Sequence, residues 1–236
     1  MIKIEVNNRT VEARKGETIL SALNNCGIHV PTLCSMAELS PTGACRMCVV
    51  EVEGHEKLVP ACSFPVSEWM KIKTHSPRVL RARKTNVELL LSNHPDDCLY
   101  CERNGNCELQ SLAEDLNVRK RHMRGVRKEL KTDYSGFSIV RDPEKCILCS
   151  RCVRVCEEII GVSTLDFVNR GNRLAIDTAM ANPIGFSNCI DCGQCVLNCP
   201  TGALTEKTEF HHLDEVLYDA EMISVTIYTG SFCIPG

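Results

Sequence analysis

The chain opens on an alternation: Ile2, Ile4 and Val6 are apolar, Lys3 and Glu5 polar. That period of two predicts a strand with one buried face. Asn7-Asn8 marks a turn, and Thr10-Val11-Glu12-Ala13 pairs back as the second arm of a hairpin. Thr18-Ile19-Leu20-Ser21-Ala22-Leu23 reads as a short helix that Gly27 closes. Met47-Cys48-Val49-Val50-Glu51-Val52 and Lys57-Leu58-Val59-Pro60 read as strands around Gly54. These elements predict an α+β unit of the β-grasp kind over residues 1–76. Pro77 opens a second segment, 77–132. Val79, Ala82, Val87 and Leu90 share one side of a helix starting there, opposite Arg81, Lys84 and Glu88. A cysteine-rich loop (94–107) and a helix from Glu108 to Leu116 follow. The third segment, 133–208, carries two cysteine-rich stretches that flank a predicted hairpin turning near Gly171-Asn172. The tail, 209–236, reads as one helix (213–222) and one strand (223–228), too little to bury a core alone.

Composition sharpens this picture. The 236 residues include 17 cysteines, aromatic residues make up only 5%, and the formal charge is −3. No charged n-region followed by an apolar h-region opens the chain, so no secretory signal is read. A cytoplasmic location is expected, where thiols stay reduced and dense cysteine points to metal. No run of 18 apolar residues occurs, and no membrane span is expected. A core so poor in aromatics needs help from bound metal. The basic stretches at 71–84 and 119–131 lack interleaved aromatics in a slightly acidic chain, so no nucleic-acid partner is expected. No dinucleotide fingerprint, P-loop or H-E-x-x-H occurs. The chain therefore has no recognisable place for hydride chemistry and no catalytic residue to assign.

The cysteines fall into three constellations. Cys146-x2-Cys149-x2-Cys152-x3-Cys156 repeats as Cys189-x2-Cys192-x2-Cys195-x3-Cys199-Pro200. In two-cluster ferredoxins three cysteines of such a run grip one cubane and the fourth reaches across to the other. Cys146, Cys149, Cys152 and Cys199 are thus expected around one [4Fe–4S] cluster, with Cys189, Cys192, Cys195 and Cys156 around a second. Paired zinc sites are the alternative, but they leave the triple runs unexplained. Cys34-x10-Cys45-x2-Cys48-x13-Cys62 departs from plant-type ferredoxin spacing yet suits a [2Fe–2S] cluster, with Gly43-Ala44 leaving room for close approach; zinc is the rival. His94-x3-Cys98-x2-Cys101-x5-Cys107 fits zinc or a [4Fe–4S] cluster with one imidazole ligand, and spacing alone leaves both open. Cys26 reads as a small buried residue at the end of the first helix; Cys233 receives no role.

The order of these three motifs resembles the N-terminal iron–sulfur region of the large iron–sulfur subunit of respiratory complex I. The module also occurs in the large subunits of multimeric [FeFe]-hydrogenases and NAD-dependent formate dehydrogenases, which share the double cubane motif. The resemblance covers about residues 1–205. It implies a β-grasp [2Fe–2S] domain and a small helical [4Fe–4S] domain with His94 as a ligand beside Cys98, Cys101 and Cys107. A two-cluster ferredoxin domain completes it, giving one [2Fe–2S] and three [4Fe–4S] clusters. Residues 216–220 and 225–227 look like the first helix and strand of a hydrogenase catalytic domain, and Cys233 alone lies beyond, so hydrogenase chemistry is not expected of these residues. The resemblance implies an electron-relay subunit of a multi-subunit NAD(P)-linked oxidoreductase. Its expected partners are a subunit carrying FMN or FAD that oxidises NAD(P)H, a small [2Fe–2S] subunit, and ferredoxin. An electron-bifurcating transhydrogenase is the expected complex; a formate dehydrogenase, an [FeFe]-hydrogenase complex or a free ferredoxin-type carrier are the alternatives.

Overall fold

Ile2–Val6 (β1) and Arg9–Ala13 (β2) form the expected hairpin, in register from Ile2 opposite Ala13 to Val6 opposite Arg9. Asn7 and Asn8 both take positive φ, 49° and 66°, the twist that lets a two-residue turn match its strands. In this computed structural model the described residues are 1–120, 122, 123, 125 and 130–207, with the backbone of 225–228 and 232–235. Met1–Glu206 form one compact unit and Lys207–Gly236 a second.

Val49–Val52 (β3), Val59–Pro60 (β4) and Lys71–Lys73 (β5) complete a five-stranded sheet in the order β2-β1-β5-β3-β4. β5 runs parallel to β1 and antiparallel to β3, the layout a β-grasp requires. Ile19–Asn25 (α1) packs on this sheet, burying Ile19, Leu20 and Leu23 with Ile4, Val6, Val50 and Ile72. Thr18 is the N-cap of α1, not its first helical residue: its hydroxyl accepts from the Ser21 N–H at 3.2 Å. Gly27, at φ 70°, ends the helix as expected, and the Ile28 N–H reaches back to the Leu23 carbonyl at 2.9 Å. Cys26 is only half-buried, as the C-cap.

Two strand expectations need correction. β3 starts at Val49, because Arg46 turns into the left-handed region (φ 55°) and the Cys45 sulfur accepts the Met47 N–H, which keeps 45–48 in a loop. β4 is confined to Val59–Pro60, where proline supplies no further N–H to the ladder. β5 was not anticipated: it is three residues with one apolar position.

Pro77–Asn93 (α2) begins where expected, capped by the Ser76 hydroxyl, which accepts from the Val79 N–H at 3.3 Å. Glu108–Asp115 (α3) packs against it through Val87, Leu109 and Leu112, and Leu33 and Met47 of the first segment fill the same core. In the third segment Ile139–Arg141 (β6) pairs antiparallel with Leu204–Glu206 (β9). Asp166–Val168 (β7) and Ala175–Asp177 (β8) form the expected hairpin through a 3-10 turn at Gly171–Arg173. Arg151–Arg154 (α4) runs into a π-helical turn, Val155–Ile159, and Gln194–Leu197 (α5) lies within the second cysteine run. Leu39 of the first segment is buried in this core with Ile139, Val153 and Leu204.

In the second unit Val225–Tyr228 (β10) pairs antiparallel with Phe232–Pro235 (β11). The expected helix 213–222 lies outside the described residues, as do positions 223 and 224; the second strand, which contains Cys233, was not anticipated. Among the described residues no helix is long and apolar enough to cross a membrane.

Candidate metal centres

Cys34, Cys45, Cys48 and Cys62 meet at one end of the first core, with Cys34, Cys48 and Cys62 buried. The four thiols lie close enough together to shift one another's proton affinity in opposite directions. Cys34 is held far below the ordinary thiol value by bonds from Cys45 and Cys62, and Cys48 is lowered to about 7 by its bond to Cys62. Cys45 and Cys62 are pushed up by those same bonds and by burial. Such a set discharges its protons fully only against added positive charge, which a bound metal or cluster would supply.

The two cysteine runs bring together the crossed sets. Cys146, Cys149, Cys152 and Cys199 line one cavity, of about 440 Å³ including the space at its mouth, with Leu165, Ile176 and Ala203. Cys156, Cys189, Cys192 and Cys195 line another, of about 370 Å³, with Ile139, Val155 and Ile184. The π-helical turn holds Cys156, two residues past α4, and so directs the last thiol of the first run to the second cavity. Burial pushes Cys149 and Cys195 up to about 12, and Cys152 well above the ordinary value.

The backbone repeats as the sequence does. Leu148 and Ser150 in the first run take φ of 56° and 62°, and their counterparts Asp191 and Gly193 take 51° and 69°. The Leu148 and Asp191 N–H groups donate to the Cys146 and Cys189 sulfurs, each at 3.4 Å. Left-handed conformations cost non-glycine residues roughly 1–3 kcal/mol each. They also turn successive N–H groups inward into a concavity for an anion, as at many iron–sulfur sites. Both features fit a cluster bound by thiolates.

His94 is the C-cap of α2, and Cys107 the N-cap of α3, so two helix ends frame the third constellation. His94 is buried, with Nδ1 3.1 Å from the Pro95 carbonyl oxygen. With Nδ1–H donating to that oxygen, Nε2 would carry the lone pair, the tautomer in which an imidazole can ligate a metal. Cys107 is raised by burial and by the charges of Cys101 and Cys98; Cys98 itself is exposed. Among the described residues no three His, Cys, Asp or Glu side chains converge on a point suited to one metal ion.

The four donor sets are neighbours. Cys45 and Cys149 line one pocket. Gly202 approaches Cys101 so closely that a Cβ there would lie 2.7 Å from the sulfur. Arg103 donates to the Cys199 carbonyl at 2.8 Å, and the Glu108 N–H to that of Pro200 at 3.0 Å. Sequence reasoning missed the buried arginines that join the segments. Arg151 forms a bidentate pair with Glu108, at 2.5 and 2.8 Å. Arg154 donates to the carbonyls of Cys34 and Ser40. Arg83 is 2% exposed. It lies on the line Val79, Arg83, Val87, four residues apart, and that spacing was its one available signal.

The sites and their domains define an iron–sulfur protein of three parts. Residues 1–77 match the 2Fe-2S iron-sulfur cluster binding domain, 83–122 the NADH-ubiquinone oxidoreductase-G iron-sulfur binding region, and 138–200 the 4Fe-4S dicluster domain. Its relatives include 75 kDa subunits of NADH-ubiquinone oxidoreductase, the G subunits of NADH-quinone oxidoreductase and hydrogenase subunits, matched over their N-terminal part. It is 40% identical, over 95% of its own length, to the NADP-reducing hydrogenase subunit HndD of Solidesulfovibrio fructosivorans, covering 39% of that protein. It is 41% identical over 88% to the NADPH-Fe(3+) oxidoreductase subunit alpha of Geobacter sulfurreducens, covering 24%. With the NADH-ubiquinone oxidoreductase 75 kDa subunit of Reclinomonas americana it shares 37% over 98%, covering 33%. The chain thus spans well under half the length of these relatives. A crystal structure of an NAD+-reducing [NiFe]-hydrogenase in the H2-reduced state matches with a TM-score of 0.82, 27% identity and 88% coverage of both chains.

Proposed function

We propose that this chain is the electron-relay part of an NAD(P)-linked oxidoreductase complex, holding one [2Fe–2S] and three [4Fe–4S] clusters. The ligands are Cys34, Cys45, Cys48 and Cys62; His94, Cys98, Cys101 and Cys107; Cys146, Cys149, Cys152 and Cys199; and Cys189, Cys192, Cys195 and Cys156. When bound, such clusters accept and pass single electrons. The residues of the chain hold them in the correct charge state, turn backbone N–H groups toward sulfur, and set neighbouring sites within one pocket's width. The observation that carries the reading is this contiguity: four donor sets in one compact unit, joined through Cys45 and Cys149 and through Cys101 and Gly202.

The electrons would come from a partner carrying FMN or FAD, which exchanges hydride with NAD(P) and splits the pair. A small [2Fe–2S] subunit would assist it, and ferredoxin or a second redox subunit would be the acceptor, as in an electron-bifurcating transhydrogenase. Anaerobic isolation of the native complex tests this. About 14 iron atoms per chain, co-purification with a flavoprotein, and cluster reduction by NAD(P)H only in its presence are expected. Zinc in place of iron, or a chain that purifies alone and ignores NAD(P)H, refutes it. The similarity to HndD favours a second reading, a component of an NADP-reducing hydrogenase complex; reduction of the clusters by hydrogen in the isolated complex distinguishes it.

A further inference from the structure

Arg83 is among the most deeply buried side chains of the protein, at 2% exposure. It stands on the face of α2 turned toward β3, with Val79 and Val87 one turn to either side, both 0% exposed. Among the described residues its hydrogen bond is from Nη2 to the Val49 carbonyl oxygen at 2.9 Å, its Nε is unpartnered, and no carboxylate pairs with it. A guanidinium keeps its charge in proteins, so it cannot escape burial by losing a proton. Burial alone disfavours this charge, while Cys48, next to Val49, acts in the opposite sense when it carries negative charge. An isolated buried cation is strongly unfavourable unless an anion compensates it.

The fold places Arg83 on the carbonyl of Val49, the residue after Cys48, where a bound cluster would supply such an anion. Cys34, Cys45, Cys48 and Cys62 are read above as the ligands of a [2Fe–2S] cluster, and the inference rests on that reading. Two ferric ions, two sulfides and four thiolates carry a net charge of about −2, and reduction by one electron makes it about −3. We infer that Arg83, on the helix of the second segment, is the buried counter-ion of the [2Fe–2S] site and a positioning residue for its redox level. A fixed cation stabilises the more negative, reduced state, so Arg83 raises the midpoint potential. The site's ligands lie on one segment while its potential is set from another, which would make the docking of α2 part of the electrochemistry. Arg81 and Lys84, its exposed or half-exposed neighbours on the helix, are in contact with water and are screened.

The experiment is an anaerobic EPR redox titration of the full, cluster-loaded chain as wild type, Arg83→Gln and Arg83→Lys. In Arg83→Gln the reduced-to-oxidised ratio of the [2Fe–2S] site at the wild-type midpoint should fall by about tenfold, equivalent to 59 mV for a one-electron couple. Arg83→Lys, which keeps the charge and loses the fork, should stay within about twofold of wild type. The signals of the all-cysteine [4Fe–4S] sites should not shift. Should Arg83→Gln not accumulate, Arg83→Met carries the same prediction, since an apolar side chain of similar volume is tolerated in place of a buried ion. A wild-type chain without a [2Fe–2S] signal overturns the ligand assignment itself. A wild-type signal with an unshifted Arg83→Gln or Arg83→Met overturns the role of Arg83 alone. Equal shifts in the Gln and Lys variants also overturn it, because they trace the effect to geometry and not to charge.

Discussion

Glu108 directly follows Cys107, and Arg151 lies between Cys149 and Cys152, so their ion pair ties two candidate cluster sites together. Glu108→Ala would leave the Arg151 guanidinium buried without its counter-charge. The side chains are 8% exposed for Arg151 and 44% for Glu108. Breaking a fully buried pair costs about 3–5 kcal/mol, and an exposed pair contributes about 0.2–1 kcal/mol. With one partner dry and the other nearly half in water, a coupling of about 2 kcal/mol is expected. In a unit of this size that corresponds to a Tm lower by about 4–8 °C. The assay is a double-mutant cycle of Glu108→Ala, Arg151→Met and the double variant, by anaerobic scanning calorimetry of the loaded chain. One scan rate is used throughout and the coupling is read from the four Tm values, because unfolding that releases a cluster is not reversible. The double variant should recover most of the loss, since Arg151→Met removes the charge that Glu108→Ala strands. A coupling below about 0.5 kcal/mol, the range of a surface pair, would refute the reasoning.

Three further outcomes follow from the sites. His94→Cys adds a negative ligand, so the midpoint potential of that [4Fe–4S] site should fall; an EPR titration that finds it unchanged removes His94 from the ligand set. Gly202→Ala places a methyl group 2.7 Å from the Cys101 sulfur; iron content should drop from about 14 to about 10 atoms per chain, with loss of one [4Fe–4S] signal. Cys149 and Cys195, pushed up to about 12, are protonated in the cluster-free chain at neutral pH and must release protons to bind iron. Cluster uptake should therefore strengthen as pH rises, by about tenfold per pH unit for each proton released. Iron uptake against a competing chelator at pH 7 and pH 8 measures this, and equal uptake at both contradicts the assigned thiols.

What the sequence disclosed was whatever depends on local spacing. The hairpin at Asn7-Asn8, the start of α2 at Ser76-Pro77 and the paired runs at 146–156 and 189–199 are each fixed by a few adjacent residues. Met47 and Cys48 read as strand because apolarity reports burial but not what a residue is buried against; Met47 belongs to the α2–α3 core. The three residues of β5 carry too few positions for a period to register. Arg83 was hidden because a charged residue on a helix reads as solvent-facing, even between two valines. His94 could not be resolved from residue type alone, since an imidazole in a loop has many uses; its place at the end of α2 makes a ligand role geometrically reasonable.

The bond from Arg154 to the Cys34 carbonyl spans 120 positions of the chain. At about 5–20 residues added per second, roughly 6–24 s separate the synthesis of those two residues on the ribosome. During that interval the loop that presents Cys34 lacks its guanidinium support, and Leu39 lacks the core that later encloses it. The candidate site made first is thus completed only once residues of the third segment have been added to it.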